Sequence, residues 1–219
     1  MHRNHHRPAA VVGTLLLAAV LSLPSPVLAQ LGGLPPLPLP GPTATASTVT
    51  GQATAAQVVL LGLLGTATTT SLASTGISGT DAESDVGQAT GSALSLLGAD
   101  VLNAATYSYS NEVDSVASLA NLGMTVAGIG ITADSVVSQA SQVLGAAGTG
   151  SSYISNLAIN GVPVAVSGAP NQTIWIPGGQ MVLNEQSISS TGGAVVNAIH
   201  ITVNGVADVV VASATAAIS

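Results

Sequence analysis

The sequence predicts an all-β protein: an antiparallel, β-sandwich-like single domain after a signal peptide and a proline-rich spacer. Three observations predict it. Short runs of alternating apolar residues fill the C-terminal half, turn dipeptides separate them about every ten residues, and the apolar content rests on Ala, Val, Leu and Ile with almost no aromatic rings.

Taken in order, the first element is a leader. Arg3 and Arg7 make a basic start, Ala9 to Leu23 is an apolar run, and Val27 and Ala29 stand at −3 and −1 of a small-residue cleavage pattern. Residues 1–29 are therefore expected to be a signal peptide cut after Ala29. The apolar run ends at Pro24 and Pro26 and falls short of the roughly 20 residues that span a bilayer, so no transmembrane anchor is expected in the mature chain. His2, His5 and His6 lie in this leader and add partial positive charge rather than a metal site.

Residues 30–42, including LGGLPPLPLPGP, read as an extended linker. Residues 43–219 are expected to form one β-rich extracellular domain, secreted and in one variant held at the cell surface. A short helix is expected over Ala55 to Leu64, where Ala, Gln and Leu favour it.

The middle of the domain carries an echo. Asp100, Asp134 and Asp208 each follow an alanine and precede a strand-like run. In each copy the residue two beyond is apolar (Leu102, Val136, Val210) and the one four beyond is small (Ala104, Ser138, Ala212), which predicts one tapering stripe on a strand face. The simplest role for these aspartates is to cap the turn at a strand's start.

From Ser155 the strands become legible. Leu157 and Ile159, the Asn160-Gly161 hairpin signal, and Val162, Val164 and Val166 make one pair, with Pro163 marking an edge. Thr173 to Ile176, Met181 to Gln186, Ala194 to Val203 and Val206 to Ala216 follow, separated by Pro177-Gly178-Gly179, Thr191-Gly192-Gly193 and Asn204-Gly205.

Composition excludes much chemistry. Arg3 and Arg7 are the only basic residues besides histidine, so the mature chain keeps nine carboxylates against His200 and the new α-amino group. Such a surface repels phosphate, and no nucleic-acid partner is expected. No cysteine is present for disulfides, thiol chemistry or lipid attachment. His200 is the one candidate general base, no G-x-S-x-G elbow exposes a serine, and alternation points His200 and Thr202, with Ala198, away from the face of Ile199, Ile201 and Val203. No catalytic residue is assigned, and a hydrolase is the least favoured reading.

Asp81, Glu83 and Asp85 are the densest carboxylates and the weak candidates for Ca²⁺, with Glu112 and Asp114 as a second group. An EF-hand fails, because Val86 and Ser92 stand where Gly and Glu are required. No other cofactor is expected. Thr66 to Thr70 is too short for an extended threonine face.

The set Pro170-Asn171-Gln172-Thr173-Ile174-Trp175-Ile176-Pro177-Gly178, Val182 to Gln186, Val196 to Val203 and Ala207 to Ala214 resembles the bacterial choice-of-anchor P exported proteins. That resemblance implies a secreted or surface domain and no activity. The expected function is a non-enzymatic structural, adhesive or interaction domain with a protein or cell-envelope partner. The alternative is a module binding Ca²⁺ or a small ligand. After Ala216 the chain reads Ala217-Ile218-Ser219, with no sorting motif, so release or non-covalent contact with the envelope is expected there.

Overall fold

A computed structural model describes residues 48–62, 66–190 and 192–219, which lie in one compact unit, Ala44–Ser219. The expected signal peptide and linker fall outside these residues. Two antiparallel sheets pack face to face as a β-sandwich.

The first sheet contains β1 (Val49–Leu61), β2 (Ala67–Ser74), β10 (Gln172–Ile176), β11 (Gly179–Ile188), β12 (Ala194–Val203) and β13 (Ala207–Ile218), in the order β10-β11-β12-β13-β1-β2. The second contains β3 (Ala82–Ala93), β4 (Leu97–Ser108), β5 (Glu112–Val126), β6 (Ile129–Val143), β7 (Thr149–Ser155), β8 (Ala158–Ile159) and β9 (Val162–Pro163). Its order is β3-β4-β5-β6-β8-β9, with β7 also paired to β6. The chain leaves the first sheet after β2, lays down the second, and returns at β10. β13 then closes on β1, and Thr48 and Ser219 exchange backbone hydrogen bonds of 2.9 and 3.0 Å.

The expected strands form as β10 to β13, but the return strand after Asn160-Gly161 is only Val162–Pro163, with Val164 and Val166 outside any strand, and the Asn204-Gly205 turn takes in Val206, so the last strand starts at Ala207. Asn160 and Gly161 adopt φ of 49° and 77°, as a type I′ turn requires. Pro177-Gly178 makes a two-residue turn with Gly178 at φ 78°, and a side chain on the next residue, Gly179, would strike the Thr202 carbonyl. Pro163 sits on β9, an edge of its sheet.

The helix expected over Ala55–Leu64 is a correction. Residues 49–61 form β1, flanked by β13 and β2, and Leu63 and Leu64 lie outside the described residues. Pairing on both edges, with Ala53 and Val58 wholly buried, outweighs the modest helix preference of Ala and Leu.

The core is aliphatic and built from small side chains. Leu97, Leu102, Leu119, Ile131, Met181, Leu183, Ile199 and Ile201 fill its main body, between rows of alanine such as Ala53, Ala104, Ala117 and Ala212. A smaller cluster around Val113, Val196, Ala214 and Ile218 lies beside it. Buried hydroxyls accompany the two. Ser115 donates across the sandwich to the Thr215 carbonyl at 2.7 Å, and Thr106 stands 3.3 Å from Ser115. The sheets approach closely here. A Cβ on Gly51 would collide with the Thr106 methyl and come within 3.0 Å of Val113, and one on Gly150 would collide with Val196.

A transverse line of irregular residues crosses each sheet. In the first, Asn171, Asn184, Ala198, Ala212, Ala55 and Ala73 stand opposite one another, with φ of 60°, 50°, 51° and 42° at Asn171, Asn184, Ala212 and Ala73. Side-chain alternation slips by one residue at this line, so Ala55 and Ala56, Ala198 and Ile199, and Val211 and Ala212 are adjacent yet all buried. In the second sheet Val101 and Asn121 have φ of 48° and 50°, and the β4–β5 register shifts at the same level. The slip corrects the expected stripe. Leu102, Ala104, Val136 and Ser138 are buried as anticipated, but Val210 faces outward and Ala212 inward.

Gly51→Ala is expected to lower stability by about 1–3 kcal/mol through overpacking. Gly123→Ala, with nothing within 4 Å of its added methyl, is expected to be neutral or to stabilise by up to about 1 kcal/mol. Urea denaturation distinguishes them. The Ser138 hydroxyl is buried without a hydrogen-bond partner, so Ser138→Ala should raise the urea midpoint by the equivalent of about 1 kcal/mol.

Candidate functional site

The clearest cluster of charged side chains lies on the outer face of the first sheet. β12 presents His200 outward because Ile199 and Ile201 are fully buried beside it. His200 Nδ1 lies 2.8 Å from Glu185 Oε2 on β11, and its Nε2 lies 3.2 Å from Asp208 Oδ2 on β13. Asn197 donates to the same Glu185 oxygen at 2.7 Å. Three neighbouring strands are thus tied through one ring.

The protonation state follows from this geometry. Partial burial opposes the charged imidazolium, but the hydrogen bond to Asp208, the negative charges of Glu185 and Asp208, and the hydrogen bond to Glu185 together lift the pKa above its ordinary 6.5. A neutral ring has one N–H donor, whereas two carboxylates facing both nitrogens are satisfied only by the imidazolium. Both nitrogens are therefore occupied, and the ring has no vacant lone pair with which to take a proton from a nucleophile.

The three aspartates of the echo do not converge. Asp100 and Asp134 lie inside β4 and β6 rather than at their starts, accepting from Asn121 at 3.2 Å and Asn156 at 2.6 Å. Asp208 does begin its strand but binds His200. The expected turn-capping role is thus replaced by cross-strand pairing, because these side chains project from the sheet's outer face, where neighbouring strands offer donors.

Asp81 occupies the turn before β3 with φ 55°, and Glu83 and Asp85 project from β3, an edge strand whose carboxylates discourage pairing with another chain. Asp114 pairs across from Tyr107 beside a groove of about 490 Å³, while Glu112 stands exposed at the start of β5. Nowhere among the described residues do three or more His, Cys, Asp or Glu side chains come together as a metal-holding group.

Trp175 is 79% exposed on β10, on the same outer face as His200. No described helix is long and apolar enough to cross a membrane. No family model, curated protein or solved structure matches the chain.

The stability due to His200 should be complete below about pH 6.5 and fade as pH rises through the raised native value, because the folded protein holds this proton more tightly. Melting temperatures of the native chain and His200→Gln should therefore differ most below the ordinary value of 6.5 and converge as the pH rises through the raised native value. The difference should correspond to at most about 1 kcal/mol, as the cluster is partly solvated.

Proposed function

We propose that the chain is a non-enzymatic β domain, exported from a bacterial cell, with a structural, adhesive or interaction role outside it or on its surface. The resemblance to the choice-of-anchor P exported proteins belongs to the same proposal.

One observation carries it. His200, the only basic side chain left once residues 1–29 are removed, has both ring nitrogens on carboxylates and acts as a strut between strands. The general base that a serine or threonine hydrolase requires is thereby committed elsewhere. An acidic chain with a large solvated sheet face and Trp175 exposed on edge strand β10 suits recognition by contact. The partner proposed is a component of the cell envelope, and nucleic acid is not proposed because the domain lacks lysine and arginine.

Expression of the full chain in a bacterial host, followed by mass spectrometry of medium, envelope and cytoplasm, tests export. A mature chain beginning at Gln30 is expected in the medium or on the envelope. Ala29→Leu should accumulate uncut precursor. Retention of the native chain in the cytoplasm would defeat the proposal, and so would hydrolysis of ester or glycoside substrates that is lost in His200→Gln.

A further inference from the structure

The outer face of the first sheet has a second feature besides the His200 strut. Trp175 is the sole tryptophan and the most exposed large apolar side chain of the described residues. Its neighbours Ile174 and Ile176 turn inward to the core, so the indole stands outward on edge strand β10. The register continues from it strand by strand: Trp175 faces Gln180, Gln180 faces Thr202, and Thr202 faces Asp208. One step along the strands lies a parallel row of Thr173, Val182 and His200. An apolar ring is thus followed by an amide, a hydroxyl and a carboxylate at intervals of about 4.8 Å, one strand spacing each.

We infer that this face binds a neutral polysaccharide, with Trp175 as its stacking platform. This rests on the proposed role as an extracellular interaction domain and names its ligand class. The C–H face of a pyranose ring is apolar and its rim is hydroxylic. Such a ring matches an indole flanked by groups that donate and accept, and one sugar is about as long as one strand spacing. Gln180 and Thr202 make no side-chain hydrogen bond among the described residues, which leaves their donors and acceptors to a ligand. A protein partner would call for further apolar surface around the indole, yet its row continues through polar side chains. Charge decides between glycans. No lysine or arginine is present among the described residues, and Asp208 at the end of the row and Glu185 beside His200 outnumber the one imidazolium between them, so carboxylated or sulfated polymers are repelled.

Affinity electrophoresis of the full secreted chain through gels holding hydroxyethylcellulose, mixed-linkage β-glucan, glycol chitin or alginate tests this. Fluorescence titration with the corresponding oligosaccharides uses the sole tryptophan as reporter. Retardation in at least one neutral polymer and none in alginate is expected. Trp175→Ala should weaken it about tenfold at unchanged melting temperature, and Trp175→Phe should restore part of it. Equal retardation of native chain and Trp175→Ala, retardation in alginate only, or none in any neutral polymer would each overturn the inference. Adhesion of the native chain to isolated envelopes, measured alongside, separates the two readings. If adhesion persists without glycan retardation, only the glycan assignment fails; if both are missing, the interaction role fails with it.

Discussion

The rest of the structure depends on two sheets packing through small inward side chains, which let them approach closely at particular points. Ala53, Ala104, Ala117, Ala198 and Ala214 are wholly buried, and Gly51 and Gly150 admit the opposing sheet where a methyl group would not fit. Dispersion attraction falls steeply with a gap, so alanine-lined sheets gain contact only by approaching until the voids close. The same closeness lets Ser115 reach a backbone carbonyl of the facing sheet. The buried core is accordingly aliphatic, and the one Trp is displayed outside.

The irregular line across each sheet is where side-chain alternation and register slip. Left-handed backbone at Ala73, Val101 and Ala212 costs more than at Asn121, Asn171 or Asn184, because alanine and valine carry a Cβ without the local hydrogen bonds asparagine makes. Asn121 and Asn156, both left-handed, use their amides to hold Asp100 and Asp134. The line thus joins backbone conformation to the polar surface. In the first sheet it brings Asn197 and Glu185 to the same outer face as His200, and the strut forms there.

The proposed function rests on how the few charged groups are placed. Nine carboxylates without lysine or arginine to oppose them in the domain make a surface that solvates and repels other anions. The one imidazole is absorbed into strand-to-strand bonding rather than left to do chemistry. The solvated face that remains carries an indole at its margin, and the proposed contact role rests on it.

The sequence by itself determined the β class, the antiparallel sense of the last strands and the outward direction of His200, since turn dipeptides and period-two alternation are local properties, while the order of strands in each sheet came from the structure. Asp208 was not within reach of the same reasoning: a two-residue Asn204-Gly205 turn would pair Thr202 with Ala207 and put Asp208 on the face opposite His200, whereas the loop takes in Val206 and pairs Thr202 with Asp208. Glu185 and Asn197 were not either, because strict alternation puts Asn197 on the face opposite His200 and only the slip at Ala198 reverses it. The tertiary structure also decided that residues 49–61 are a strand and that Asp100 and Asp134 lie mid-strand. In each case the cause is non-local. A neighbouring strand supplies the hydrogen bonds, and the opposing sheet supplies the contacts that fix where alternation breaks.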